Sequence, residues 1–245
     1  MAEETIRVGV AGAQGRLGRI ACAAVTAAPG LSLVAGFVRS VAAGAAGGDV
    51  PLFDDLHAFY GAGMDVVVDC TVYPVSLDVA RDAIEAGVAP VIGATGWADA
   101  DVADFGRRCE AAAIGALLVP NFSVGAALMM RFAAEAATFM PHVEIVELHH
   151  DGKRDKPSGT ARMTARRITA AGGPATVPIH SVRLPGLVAH QETIFGGTGE
   201  TLTIRHDSTG HAAYAAGIVL AVRNVRAQRG LVNGLDALLF AQRTA

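Results

Sequence analysis

Apolar and polar positions along the first third of the chain alternate between two periods. Ile6 to Ala11 is an apolar run with β-branched members. It leads into Gly12-Ala13-Gln14-Gly15-Arg16-Leu17-Gly18 and then Arg19 to Ala28, of helical composition, which predicts strand, glycine turn and helix. Pro29-Gly30 stops that helix, and Leu31 to Val38 predicts a second strand. Val41 to Gly48, rich in glycine and alanine, reads as a flexible connection. Beyond it, Met64 to Cys70 predicts a buried parallel strand, Val75 to Ala86 a helix ended by Gly87, and Val88 to Ile92 another strand. Asp99 to Ala113 predicts a helix and Ala116 to Val119 a short strand.

From Asn121 the pattern changes. A long apolar helix over Gly125 to Phe139 precedes segments of period two: Val143 to His149, His180 to Leu184, Glu192 to Phe195 and Thr201 to His206. In the last, Leu202 and Ile204 should face one way and Thr201, Thr203 and Arg205 the other. A final apolar helix, Ala215 to Ala227, is expected to pack back on the first domain. The fold class expected is α/β: an N-terminal Rossmann domain with a doubly wound parallel sheet, and a second α+β domain built on an open mixed sheet. The boundaries expected are 1–120 plus 216–245 for the dinucleotide-binding domain and 121–215 for the substrate-binding domain.

Composition narrows the chemistry. Hydrophobic residues at 51% and charged residues at 18% exclude disorder, and a net charge of −3 gives no general attraction to nucleic acid or to an acidic membrane. An anion site must therefore be local. Met-Ala-Glu-Glu carries no basic n-region, and no uncharged apolar run is long enough to span a bilayer, so a cytoplasmic protein is expected. Cys22, Cys70 and Cys109 are odd in number and widely spaced, which suggests buried small hydrophobes rather than disulfides or a metal site. Among 20 basic residues only Lys153 and Lys156 are lysines. Lysine can give up a proton where arginine cannot, although chance retention of two surface lysines is an equal reading.

The glycine turn is G-x-x-G-x-x-G, placed after a strand and before a helix. Backbone N–H groups at that helix start suit a dinucleotide pyrophosphate; a tight turn without a ligand is the competing reading. The second strand ends Phe37-Val38-Arg39, without the carboxylate that would accept from a ribose 2′-OH. An arginine there favours a 2′-phosphate and hence NADPH, unless it merely lies on a solvent edge.

The segment richest in chemistry runs Glu147-Leu148-His149-His150-Asp151-Gly152-Lys153-Arg154-Asp155-Lys156-Pro157-Ser158-Gly159-Thr160-Ala161. Pro157-Ser158-Gly159-Thr160 puts proline, a capping hydroxyl and backbone N–H donors at the start of a helix, a seat for a carboxylate. Two histidines and a lysine upstream offer proton transfer and positive charge. Adjacent histidines on a strand point to opposite faces and chelate one metal badly. A solvated charged loop with a plain N-cap is the bland alternative.

Taken together these residues resemble the dihydrodipicolinate reductase family. The likeness runs over nearly the whole chain. It includes Val10 to Ala13 with Gly15-Arg16, Val67 to Thr71, Gly93 to Gly96, Pro120 to Ser123, Glu147 to Ala161, His180 to Arg183, Gly186 to Glu192 and Arg205 to Ser208. The resemblance implies NAD(P)H-dependent reduction of 4-hydroxy-tetrahydrodipicolinate to tetrahydrodipicolinate in the diaminopimelate route to lysine; Val38 and Arg39 make NADPH the expected cofactor, with NADH possible. It implies that Gly12, Ala13, Gln14, Gly15, Arg16 and Leu17 hold the pyrophosphate and Arg39 the adenosine end. Gly93, Ala94 and Thr95, with Val119, Pro120, Asn121 and Phe122, would hold the nicotinamide end. His149 and Lys153 would transfer protons, and His150, Gly159 and Thr160 would bind a small dicarboxylate substrate. It further implies a homo-oligomer assembled through the second domain, while the net charge and the lack of a spanning apolar run lead to the expectation of no nucleic-acid or membrane partner. The chain departs from the family pattern at Val38, where an acid is usual, at Ala94 in place of threonine, at Lys156 in place of a small residue, and in a shortened Ala170 to Pro178 stretch. Two alternatives are a related reductase of another amino or keto acid and a non-catalytic NAD(P)H-sensing protein.

Overall fold

The computed structural model describes residues 4–40 and 50–241, so the connection expected over Val41 to Gly48 lies outside the described residues. The chain divides into two compact units, Met1–Phe122 with Tyr214–Ala245, and Ser123–Ala213. In the first, β1 (Ile6–Ala11) is followed by α1 (Arg16–Ala27), β2 (Leu31–Phe37), β3 (Leu52–Phe53), α2 (Leu56–Gly61) and β4 (Val66–Asp69). The alternation continues through α3 (Val75–Glu85), β5 (Ala89–Ile92), α4 (Asp99–Ala112) and β6 (Gly115–Leu118). These strands pair in parallel in the order β3-β2-β1-β4-β5-β6, doubly wound with the reversal between β1 and β4.

Each element follows from its residues. β4 is buried at all four positions, as a strand covered on both faces must be. α1 buries Gly18, Ala21, Ala24 and Val25, one stripe at helical spacing. The pattern gave no element over β3 and α2, because two residues are too few to show a period. Their role is packing: Phe59 of α2 is fully buried, with the Phe37 and Phe53 rings at 5.8 and 6.4 Å. Asp55 caps α2, accepting from Ala58 N at 2.8 Å.

The second unit opens with α5 (Val124–Ala137), capped by the Ser123 side chain. It continues through β7 (His142–His149), α6 (Gly159–Ala170), β8 (Ile179–Arg183), β9 (Ala189–Gly197) and β10 (Glu200–Ser208). The sheet order is β10-β9-β7-β8, with β7 and β8 parallel and the other pairs antiparallel, an open mixed sheet. Ala133, Ala137, Val143, Ile145, Ala161, Ile168 and Phe195 form the core between helices and sheet. β9 outruns the expected Glu192 to Phe195 at both ends. Ile204 joins this core, whereas Leu202, on the same row, stays 42% exposed on the edge strand.

The chain then returns to the first unit. A 3₁₀ turn, His211–Tyr214, leads into α7 (Ala215–Val225), which packs on α1. α7 was expected to be the last element, and here the structure corrects the reading: β11 (Gly230–Asn233) pairs in parallel with β6 as a seventh strand, and α8 (Asp236–Ala241) follows. A four-residue run carries too little periodicity to announce itself. The cysteines also need correction, since Cys109 is buried but Cys22 and Cys70 are only half-buried. Cys70 sits just past the end of β4, at the sheet margin where the glycine turn lies.

A Cβ on Gly217 would stand 1.9 Å from the Phe122 carbonyl oxygen, so α7 packs on backbone. Gly217→Ala should therefore destabilise the protein by about 1–3 kcal/mol in urea denaturation. Gly61→Ala, where nothing lies within 4 Å, should leave the midpoint unchanged or raise it slightly.

Candidate active site

In the first unit the glycine turn is fixed from three sides. Gly12 leaves β1 at φ +75°, where a Cβ would stand 2.9 Å from the Cys70 carbonyl oxygen. The Gly12 and Ala13 N–H groups donate to the Phe37 carbonyl at 2.8 and 3.1 Å, which ties the turn to the end of β2. A Cβ on Gly18 would stand 2.0 Å from the Gly12 carbonyl oxygen, so only glycine lets α1 come this close. At the tip, Gln14, Gly15 and Arg16 are exposed. α1 begins with no side-chain cap and no acidic residue in its first turn. Such a turn fits a pyrophosphate: the helix start offers N–H groups and partial positive charge, with no carboxylate competing for them.

The other residues expected at the cofactor gather at the ends of the neighbouring strands. A Cβ on Gly93 would stand 2.7 Å from Phe122 Cε2 and 3.2 Å from Leu17 Cδ2, so Gly93, Phe122 and Leu17 meet at one point. Ala94 and Val119 are buried beside it, Thr95 is exposed, and Pro120 and Asn121 are half-buried. Arg39 is exposed two residues past Phe37, and Val38 is buried.

The second unit holds the titratable cluster. Glu147, two residues before His149 on β7, has a fully buried side chain, and its two oxygens make four hydrogen bonds of 3.2 Å or less, with the Ser181 hydroxyl a further donor. Oε1 accepts from Arg183 Nη2 at 2.8 Å and from Ser158 N at 3.2 Å. Oε2 accepts from Arg183 Nη1 at 2.8 Å and pairs with His149 Nδ1 at 2.5 Å. Arg183 donates further to the carbonyls of Asp155 at 2.7 Å, Val182 at 2.7 Å and Lys153 at 3.3 Å. A guanidinium has five N–H donors, and here each has an acceptor. The parallel register of β7 and β8 sets His149 opposite Arg183 and Glu147 opposite Ser181, which is why the two strands can build this cluster.

Lys153 sits on the loop that Arg183 holds, and its ammonium donates to Asp155 Oδ1 at 2.7 Å. Ser158 caps α6, its hydroxyl accepting from Ala161 N at 3.1 Å. At the helix start Gly159 is exposed, and a Cβ there would meet nothing within 4 Å; Thr160 is half-buried. His150 is exposed, its ring lying against Gly152, apart from the Glu147 cluster. Lys156 is exposed. Of the residues expected in this unit, the structure thus links His149, the Lys153 loop and the α6 start through Glu147 and Arg183.

Burial alone would raise the Glu147 carboxyl, but the hydrogen bonds from Arg183, Ser181 and His149 outweigh it and hold it below the usual carboxylate range. Burial lowers His149, and the charges of Lys153 and Arg183 add to that; the Glu147 hydrogen bond and charge oppose it without cancelling it. His149 is therefore neutral at neutral pH. Burial raises Asp155, and its bond to Lys153 overcomes this, leaving it an anion beside the ammonium.

Glu147, Asp155 and Arg183 all stand in stretches that the family likeness includes, yet the sequence alone assigns none of them a role. One signal was available. Val143, Ile145 and Glu147 form one inward row of β7, so a carboxylate stands where the alternation calls for an apolar side chain.

Comparison with known proteins gives a consistent likeness. A family model for the N-terminus of dihydrodipicolinate reductase matches residues 6–122, and one for its C-terminus matches residues 125–239. The 4-hydroxy-tetrahydrodipicolinate reductase of Streptococcus pneumoniae serotype 19F (strain G54) is 42% identical over 255 residues, covering 96% of this chain and 100% of that relative. That of Moorella thermoacetica is also 42% identical, over 96% of this chain and 98% of its own. A solved dipicolinate-bound dihydrodipicolinate reductase from Paenisporosarcina sp. TG-14 superposes with a TM-score of 0.86 at 34% identity, covering 95% of this chain and 98% of that one. At 16% identity and a TM-score of 0.60, over 98% of this chain and 99% of its own, a C. glutamicum DAP dehydrogenase shares the fold alone.

Two stability outcomes follow from the cluster. Folding holds both His149 and Glu147 below their ordinary values of 6.5 and 4.5, so the unfolded chain binds protons first. Stability should be full above 6.5, fall as pH drops through the His149 window, and fall again below 4.5, as read by Tm across a pH series. Arg183→Met leaves a buried carboxylate unpaired and should cost about 3–5 kcal/mol, whereas Arg205→Met, at an exposed ion pair, should change little.

Proposed function

The chain belongs to the dihydrodipicolinate reductase family, and from that premise we propose that it reduces 4-hydroxy-tetrahydrodipicolinate to tetrahydrodipicolinate with a reduced nicotinamide dinucleotide, in the diaminopimelate route to lysine. The observation that carries this reading is the Glu147 to Thr160 segment: a neutral histidine, an ammonium and an open helix start are held by one buried carboxylate-guanidinium pair. A nicotinamide-sensing protein has no use for such an arrangement.

The substrate carries two carboxylates, and this part of the second unit is built for anions. α6 begins without an acidic residue, and Gly159 leaves its N-terminus open to approach. Gly159 and Thr160 seat one carboxylate there, and His150 meets the other. In the net reaction the C4 hydroxyl leaves as water with a hydrogen of the neighbouring ring carbon, and the double bond so formed takes hydride at C4 and a proton back at that neighbouring carbon. When bound, the reduced nicotinamide supplies that hydride. Lys153 delivers the proton as a cationic acid, with Asp155 keeping its ammonium in place until the substrate takes over. His149 is the second proton-transfer group.

On the cofactor side, Gly12, Ala13, Gln14, Gly15, Arg16 and Leu17 cradle the pyrophosphate. Gly93, Ala94 and Thr95, with Val119, Pro120, Asn121 and Phe122, hold the nicotinamide. NADPH is the favoured cofactor, because Arg39 pairs with a 2′-phosphate and the buried Val38 offers a ribose hydroxyl no acceptor. We place the enzyme in the cytoplasm as a homo-oligomer, with a second copy seated on the exposed edge strand β10.

Turnover is tested by following the nicotinamide absorbance with freshly generated 4-hydroxy-tetrahydrodipicolinate. Lys153→Ala should lower kcat by about 10²- to 10⁴-fold with NADPH affinity unchanged, while Thr160→Ala mainly raises KM and Lys156→Ala changes neither. Loss of turnover in Lys156→Ala with Lys153→Ala tolerated would move the donor role to Lys156. Wild-type enzyme that binds NADPH and an open-chain keto acid, and reduces only the latter, would point to a related reductase. For the cofactor, fluorescence titration should show NADPH binding at least as tightly as NADH, and Arg39→Ala should erase that margin.

A further inference from the structure

We infer that Glu147 is a positioning residue of the reduction, fixing His149 in the Nδ1–H tautomer so that the ring presents the lone pair of Nε2 to the reacting groups, while Arg183 ties the same carboxylate to the Lys153 loop. This rests on the functional reading above and deepens it, since it assigns the direction in which each proton-transfer residue works.

The geometry leaves one arrangement. A carboxylate has about four lone-pair positions, and those of Glu147 meet two guanidinium N–H groups, the Ser158 N–H and His149 Nδ1, with the Ser181 hydroxyl as a further donor. With Arg183 beside it the carboxylate is an anion and can only accept. His149 Nδ1 must then carry a hydrogen, and in a neutral ring Nε2 carries none. The groups facing this ring are Glu147 on its own strand, Arg183 on β8 and Lys153 on the following loop, with Asp155 bound to Lys153. Two of the three direct neighbours are cations, which suits a ring that rests neutral. A neutral Nδ1–H imidazole takes a proton, or accepts a hydrogen bond, at Nε2; it has none to give there. Donation therefore falls to Lys153, and Glu147 stabilises the imidazolium whenever His149 is charged.

The same carboxylate aligns three pieces of backbone. Its bond to Ser158 N fixes the start of α6, and Arg183, held by its other lone pairs, grips the carbonyls of Lys153 and Asp155. Proton donor, proton acceptor and carboxylate seat thus share one anchor, and its side chain is fully buried.

The test has two arms. The first uses the unaltered protein: ¹⁵N–¹H correlation spectra of the histidine rings, with His149 assigned by its disappearance in His149→Asn, should show a neutral Nδ1–H ring at neutral pH. A neutral Nε2–H ring at His149 overturns the proposal, whatever any variant does. The second arm compares Glu147→Gln with wild type. The expected result is a 10- to 100-fold lower kcat with NADPH affinity within twofold, and an acid limb of kcat/KM moved to lower pH, because the charge that favours the imidazolium is gone. A structural role alone would not move that limb. An unchanged limb and kcat in a folded Glu147→Gln overturn the proposal, and should that variant fail to fold, the first arm still decides. Wild-type enzyme that shows the Nδ1–H ring but does not turn over 4-hydroxy-tetrahydrodipicolinate would instead overturn the functional reading.

Discussion

A carboxylate removed from water must find acceptable partners for every lone pair or give up its charge. Much of the second unit is arranged around this demand at Glu147. Arg183 meets it with a two-point bond at 2.8 Å on each oxygen, and His149 and the Ser158 N–H meet the rest. Because Arg183 carries more donors than one carboxylate can use, its remaining N–H groups close the 153–155 loop. One buried anion therefore sets a side chain, a loop and a helix start together. Replacing the pair with apolar residues could preserve stability, but not this alignment, which is why the charge is better explained by position than by strength.

The first unit depends on backbone rather than on charge. Gly12, Gly18 and Gly93 each sit where a side chain would strike a carbonyl oxygen or a ring, and the space this leaves belongs to close packing at the strand ends. The reversal of strand order between β1 and β4 brings the glycine turn beside Cys70, and the next strand adds Gly93. The exposed tip of the turn and the uncapped helix start are what remain for an anion.

Most of this fold could be read from periodicity. β1, β2, β4 and the helices between them announce themselves through apolar runs and helical stripes, and the switch to period two at β7 marked a different sheet. The short elements did not: β3 has two residues, β11 has four, and each owes its existence to a neighbour in the sheet rather than to its own pattern. The candidate site could be proposed from sequence where its residues are consecutive, as in His149 to Thr160. Arg183 lies 36 residues from Glu147 and reaches it only through the parallel pairing of β7 with β8, which no local pattern encodes. Glu147 itself was visible as a charge in an inward row, a conflict between local pattern and fold of the kind expected near a functional site.

The central claim is that hydride passes from a reduced nicotinamide to a cyclic dicarboxylate on this chain. It is tested most directly by supplying NADPH deuterated at the transferable position, together with 4-hydroxy-tetrahydrodipicolinate, and analysing the product by mass spectrometry and NMR. The account predicts one deuterium per product molecule, at C4 of the ring, in step with cofactor oxidation. Cofactor oxidised without deuterium in the product, or deuterium at any other carbon, would contradict it.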